Sequence, residues 1–279
     1  QEHKIDTNQH KLTDQKNKQN SHNLPYLSFV HGPLSILDSF PSLSNSVTAS
    51  RKLIHSGSAP AGCLSATSGV TRRLQDSTLA ASQDLGLGEP ETALLFAFYS
   101  GRSQATRRRL EEAAAMLIAE GATAVQRIEG PAAKSTLRWF TDVPTQVNED
   151  SALVIKISVP SNSTSRTSAE CGDVALFGEK PEQIADPGFG SIRLFWPKYG
   201  DIQSFHSMEP QPIIDTIQNV RETAQSYGGS AVVEQCPITV KSQIDVWGDY
   251  PDSLAIMQNI KYRFDPNSIL NPGRFLGGI

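Results

Sequence analysis

Four residues near the end of the chain combine a tight turn with a permanent charge. Asn271-Pro272-Gly273 is turn-forming, and Arg274 follows it as a fixed cation. The turn comes after a run, Leu254 to Phe264, with apolar residues at 254, 257, 260 and 264, the spacing of one helix face. Asp265-Pro266 should stop that helix, because the residue before a proline is pushed out of helical backbone space. Arg274 is thereby left as a charge held in a fixed place. Equally, Arg274 could tie down the tail through an ion pair. Glu234, at the end of a short apolar run, is the other carboxylate considered for a site, against the simpler reading of a strand end in solvent.

Other constellations fail on context. His206 has no serine and acid arranged around it. Pro187-Gly188-Phe189-Gly190 is too short for a phosphate loop and leads into a strand rather than a helix. Glu179, Glu182 and Asp186 are spaced too loosely for calcium, and His3, His10 and His22 lie in a polar stretch without cysteine support, so no metal site is expected. The cysteines Cys63, Cys171 and Cys236 are odd in number and far apart, which is no disulfide framework.

The chain has 279 residues, a formal net charge of -4 and 38% hydrophobic residues, enough for a core. That balance argues against nucleic acid as a partner. The basic cluster Arg107-Arg108-Arg109 is followed at once by Glu111 and Glu112 and reads as a solvated helix face. No apolar run approaches a membrane span, and the first residues lack the order of a signal peptide. A cytoplasmic setting is expected, with any membrane association arising through a complex.

The elements that must position these residues begin after a polar start. Residues 1–23 are rich in Gln, Asn, Lys and His and are expected to be disordered or a linker, with one domain over 24–279. The pattern predicts a strand at 26–30. It predicts a helix over 44–55, capped by Ser44 or Ser46, with Val47, Ser50, Leu53 and Ile54 inward, and a strand at 63–66. Residues 71–90 carry no clear period. Ala93 to Tyr99 has strand length and composition, Ser103 can cap a helix reaching Glu120, Gly121 suits its left-handed stop, and Ala124 to Ile128 returns as strand. This strand–helix–strand unit echoes the one before it in pattern only.

Further on, Leu153, Ile155, Ile157 and Val159 alternate with Val154, Lys156 and Ser158, which predicts a strand with one mostly polar face. Pro160 ends it, and Ser161 to Ser168 reads as a loop. Ile192 to Trp196 is a strand, Pro210 and Pro212 lead into a helix with Ile213, Ile217, Val220, Ala224 and Tyr227 on one side, Gly228-Gly229 stops it, and 231–234 resumes as strand. Trp247 and Tyr250 are expected to pack under the last helix. The sum is an α+β fold, an antiparallel sheet with helices on one face.

The tail resembles the C-terminal signature of FAD-linked oxidases of the vanillyl-alcohol oxidase type, a Lys-x-x-Phe-Asp-Pro followed by Leu-Asn-Pro-Gly-Arg, which here begins at Lys261 and is completed by Arg274. Trp139 with Thr141-Asp142, the strand Ile155 to Pro160, Gly190 to Trp196, and Gly228-Gly229 with 231–234 extend the likeness over about residues 90–279, and loosely back to 24. Within the family it is closest to the E subunits of glycolate oxidases. The resemblance implies a ferredoxin-like cap domain that covers the flavin and the substrate site. It implies that Asn271, Pro272, Gly273 and Arg274 lie near FAD or brace the joint to the flavin-binding half, with Glu234 on the substrate side.

Two departures qualify this. The glycine-rich pyrophosphate loop is absent from the sequence. The Glu-His-Gly of the D-lactate branch reads Glu234-Gln235-Cys236, without the histidine that takes a proton. The expected function is therefore the cap portion of an FAD-dependent oxidoreductase of small 2-hydroxy acids, inactive alone, with a flavin-domain half or other oxidase subunits as partners. The alternatives are a docking module without chemistry, or a truncated gene product.

Overall fold

The computed structural model describes residues 34–75, 92–149, 151–198 and 209–279. The strand expected at 26–30, the disorder expected for 1–23, residues 76–90 and His206 lie outside the described residues.

The chain builds the same β-α-β-β-α-β unit twice. The first comprises β1 (Leu34–Phe40), α1 (Leu43–Ile54), β2 (Gly62–Ala66), β3 (Ala93–Tyr99), α3 (Ser103–Ala119) and β4 (Ala124–Ile128), with an additional helix α2 (Ser68–Gln75) after β2. The second comprises β5 (Ser151–Ser158), α5 (Thr164–Gly172), β6 (Glu182–Asp186), β7 (Ser191–Pro197), α6 (Pro210–Ser226) and β8 (Ser230–Gln235). Helix α4 (Gly130–Glu149) connects them. The eight strands form one sheet in the order β4-β1-β3-β2-β6-β7-β5-β8, with antiparallel neighbours. Each half thus has the strand order of a ferredoxin-like unit. The halves meet through a short pairing, Ser65 with Ala185 and Ala66 with Ile184. Thr67 extends it, donating its N–H to the Gln183 carbonyl at 3.0 Å and accepting the Gln183 N–H on its hydroxyl at 2.9 Å.

One face carries α1, α3, α5 and α6, as the alternation of the strands predicts. Ile36, Leu53, Leu95 and Leu117 pack there in the first unit, and Ile155, Trp196, Ile217 and Val220 in the second. Trp196 is fully buried and donates its indole N–H to the Val174 carbonyl at 3.2 Å; truncation of such a residue costs about 3–5 kcal/mol. The opposite face is covered in part by α2 and α4, which the sequence pattern does not announce. Phe140 of α4 stacks on Phe96 at 4.1 Å, and Val143 and Val147 meet Val154 and Phe195. Gly130, Pro131 and the interior Pro144 obscured this helix in the sequence.

Four local expectations are corrected. Helix α1 is capped by Ser42, whose hydroxyl accepts the Asn45 N–H at 3.2 Å, rather than by Ser44 or Ser46. Ser46 is instead buried and donates to the Leu94 carbonyl at 2.9 Å, letting the helix lie close on the sheet. Helix α3 starts after Arg102, and no side chain caps it, so Ser103 does not serve as cap. The Ser/Thr stretch after Pro160 is not a loop: a 3-10 turn at 161–163 leads into α5. Its hydroxyls are turned back into the structure, Thr164 to the Ser161 carbonyl (3.0 Å), Thr167 to the Ser163 carbonyl (3.0 Å) and Ser168 to Gln183 (2.9 Å). Helical hydroxyls that bond the preceding turn remove the polar cost that argues against a buried Ser/Thr helix. The arginine triplet is only partly a solvated face. Arg107 and Arg108 pair with Glu129 and Glu112, whereas Arg109 donates to the Ala59 carbonyl and lies 5.6 Å over the Tyr99 ring.

Asp38 is the strained point of the core. It is fully buried on the helical face of β1, and neither carboxylate oxygen has a hydrogen-bond partner among the described residues. Burial raises its pKa to about 8, partly opposed by the Arg127 charge. A carboxyl that stays protonated when folded and ionises when unfolded makes the unfolded state the weaker proton binder. Stability then falls as pH rises from about 4 to about 8, by up to about 1.4 kcal/mol per pH unit, and levels off above. Chemical denaturation of Asp38→Asn across this range is expected to show a flattened slope and a gain in stability at neutral pH. A variant that keeps the parent's slope would show that Asp38 is already charged in the fold.

Candidate functional site

Two regions hold the residues of interest, and the structure keeps them apart in character. The first is the tail. Helix α8 (Leu254–Phe264) follows a short helix α7 (Ile238–Lys241) and is the one long helix among the described elements with no buried residue. At its end Asp265 is almost fully buried and pairs with Lys261, one turn earlier, at 2.6 Å. The same carboxylate accepts the backbone N–H groups of Ile269 (3.0 Å) and Leu270 (2.9 Å), while Lys261 donates to the Leu270 carbonyl at 2.5 Å. The Lys261 hydrogen bond, then those backbone donors, hold the Asp265 carboxyl below its ordinary range. The Lys and Asp of the terminal signature therefore have a structural task. They fold residues 265–270 into a fixed loop that presents Asn271.

Beyond that loop Asn271 takes a φ of 47° and Gly273 a φ of 70°, and the Arg274 N–H closes the turn on the Asn271 carbonyl at 3.3 Å. The left-handed region is costly for a residue other than glycine, although asparagine tolerates it better than most. Asn271, Pro272, Gly273 and Arg274 are all solvent-exposed. Among the described residues no carboxylate pairs with Arg274. Phe275 packs edge-on against Trp247 at 4.9 Å, which ties the tail to the domain, while Tyr250 is exposed rather than packed beneath the helix.

Between α8 and the turn runs an open apolar groove lined by Met257, Ile260, Phe264, Leu270, Phe275 and Ile279, with Arg274 at its rim. Phe264 is 80% exposed, Ile269 74% and Ile256 63%. Scattered exposed apolar residues are ordinary on a protein surface; a contiguous set around one groove marks a contact face.

The second region is the sheet face opposite the four main helices, over β5, β7 and β8. Ser158, Ser191 and Ser230 share one cross-strand row, and Lys156, Arg193 and Val232 the next. Glu234 lies at a β-bulge, for the register jumps from Val233 to Gln235 against Ile155 and Val154. Its carboxylate reaches over β5 to form a two-pronged pair with Arg193, at 2.9 and 3.2 Å. The resemblance put Glu234 forward as a substrate-side candidate, against the simpler reading of a strand end in solvent. It is on the open face, but it is neutralised by Arg193 and is not a free base. Arg193 was missed as a site residue. Strand alternation placed it on the polar face, and only the fold shows it two strands from its partner.

Cys63 and Cys171 are buried and Cys236 part-buried, and all three are free thiols; burial pushes the first two up to about 12. They are not nucleophiles in this fold. Among the described residues no cluster of His, Cys, Asp and Glu could hold a metal, and no helix is long and apolar enough to cross a membrane.

The loop brace yields a direct expectation. Lys261→Met or Asp265→Asn should speed hydrogen exchange at the Ile269 and Leu270 amides by about tenfold or more, while amides of the central strands keep their protection. Unchanged exchange at those two amides would remove the brace.

Residues 248–275 match the family model for FAD linked oxidases, C-terminal domain. No curated protein is significantly similar to this chain in sequence. Among solved structures, an alkyldihydroxyacetonephosphate synthase is similar with a TM-score of 0.55 and 14% identity, over 88% of this chain and 45% of that one. A p-cresol methylhydroxylase with substrate bound is similar with a TM-score of 0.53 and 16% identity, over 88% of this chain and 52% of that one. The chain spans about half the length of each. At such identities the likeness is one of fold. The sheet and its helices are thus an architecture found in those two enzymes, and the tail segment is similar to part of the C-terminal domain of FAD linked oxidases.

Proposed function

We propose that this chain is the cap portion of an FAD-dependent oxidoreductase that acts on a small 2-hydroxy acid of the glycolate type. The observation that carries this reading is the tail. A helix with no buried residue, an open apolar groove and an arginine with no carboxylate partner among the described residues stand at the segment that matches the FAD-linked oxidase domain. The two similar enzymes are about twice as long as this chain, which leaves room in such a protein for a flavin-binding half.

The residues present fit one side of a flavin and not its pyrophosphate. The rigid turn offers the exposed Asn271 amide and the Arg274 cation. No glycine-rich loop opening a helix is found among the described residues to supply the backbone N–H groups that hold phosphates. Asn271 and Arg274 would face the cofactor or the joint, and Met257, Ile260 and Phe264 would pack against the half that holds it. FAD, when bound, would accept hydride from the alpha carbon of the substrate. This chain would exclude water, roof the site and steady negative charge near the tail. A second reading, a docking module without chemistry, is favoured only by Glu234 being tied to Arg193, which leaves no free base on that face.

Purified by itself, the chain is expected to carry no stoichiometric FAD. Isolated from its native source under mild conditions, it should come with a yellow flavin-binding half that releases FAD on denaturation. Phe264→Glu and Arg274→Ala should each weaken that flavin retention while leaving the isolated chain's thermal unfolding unchanged. Tightly held FAD on the lone chain, or full retention in both variants, would defeat the proposal.

A further inference from the structure

Neither the tail nor the Glu234–Arg193 pair involves Asp38, the carboxyl enclosed on the helical face of β1. The register sets Ile36 opposite Arg127 and Asp38 opposite Val125, so Asp38 and Arg127 are diagonal neighbours on one face of β1 and β4. Diagonal positions lie about 7–8 Å apart, within reach of a long side chain. Arg127 is nevertheless turned outward. Its guanidinium donates to both oxygens of Glu111 on α3, at 2.8 and 2.9 Å, and that pair is well exposed. The other groups around Asp38 are neutral or already engaged. The Cys63 thiol of β2 and the Tyr99 phenol of β3 face it, and burial raises both, the thiol to about 12. On α3, Arg109 is bound to the Ala59 carbonyl, Arg107 pairs with Glu129 and Arg108 with Glu112. Lys52 of α1 pairs with Glu120. Helix α4 packs against the opposite face of the sheet, so its Lys134, Arg138 and Asp142 do not face Asp38. Burial raises Asp38, and among the described residues the charge that opposes this is Arg127.

We propose that Arg127 is a two-position latch, paired with Glu111 at the rim of α3 while Asp38 keeps its proton and drawn under the helix to Asp38 once that proton is lost. An exposed ion pair adds little to stability, whereas an ionised carboxylate without a partner in the core is costly. The guanidinium therefore follows the buried negative charge when it forms. The consequence appears on the surface. Among the described residues, Arg127–Glu111 and Arg107–Glu129 are the ion pairs that fasten α3 to the edge strand β4 and the residue just beyond it. Moving Arg127 inward releases the first of them and leaves Glu111 as a bare carboxylate. With rising pH the rim of the first unit becomes more acidic, and α3 is held to β4 by one pair fewer. This device does not depend on what the tail meets.

The test is a pH titration of the isolated chain, followed by the carboxyl-carbon resonances of Asp38 and Glu111 and the Nε resonance of Arg127. Asp38 should titrate at about pH 8. Glu111 and Arg127 should shift at that same midpoint, although a solvated glutamate loses its own proton far below it. In Asp38→Asn those two shifts should vanish. Glu111→Gln sets Arg127 free and should move the Asp38 midpoint down by about one pH unit. The same substitution in an Arg127→Met background should move it much less, because the competing cation is gone. A purely structural Arg127–Glu111 pair produces none of this coupling. A Glu111 resonance that stays flat through the Asp38 transition would overturn the latch. So would shifts that persist in Asp38→Asn, an equal effect of Glu111→Gln with and without Arg127, or an Asp38 carboxyl that does not titrate in the folded chain.

Discussion

The architecture depends on a very short backbone pairing. Ser65 and Ala66 on β2 meet Ile184 and Ala185 on β6, with Thr67 and Gln183 closing the end. Without it there would be two four-stranded units, each with one helical face and one bare face. With it the two sheets become one, and α2 and α4 can lie across the seam on the far side. Val70, Val143 and Val147 bury the apolar residues there against Val154, Ile184 and Phe195. Small residues make the close approach possible. Ser46 and Ser50 of α1 both bond the Ser65 hydroxyl, at 2.8 Å each, so that helix sits directly behind the junction.

That arrangement also decides what is left uncovered. The far face is sealed over β1, β3 and part of β7, where its residues are apolar. Among the described residues nothing covers it over the ends of β5, β7 and β8 that carry Ser, Lys, Arg and Glu. The same economy shapes the tail. Trp247 anchors Phe275, and Lys261 with Asp265 freezes the loop, yet α8 turns its apolar residues outward. A loop braced in this way has little conformational freedom left to lose in any further contact.

Much of the skeleton was legible from residue order. Ala93–Tyr99 and Ala124–Ile128 were predicted to the residue, because an unbroken apolar run and a glycine stop leave little ambiguity. Helix α6 was equally clear from Pro210, the period of Ile213 to Ala224, and Gly228 at a φ of 75°. Helix α5 was hidden because serine and threonine read as loop formers until their hydroxyls are seen bonding the preceding turn. The cap of α1 slipped from Ser44 or Ser46 to Ser42 because three serines stand within five residues, and local chemistry does not choose among them.

For the site, the sequence alone determined the tail. A proline, a glycine, a lysine and an aspartate at those spacings are constrained through bonds no more than about ten residues apart, so their arrangement is a local matter. It also determined that one face of β5 is polar, since side chains alternate on any strand. Only the tertiary structure decided that Arg193 and Glu234, forty-one residues apart, would neutralise each other across β5. Strand order and register set those meetings. Both arise from the packing of distant segments, which no local run of residues encodes.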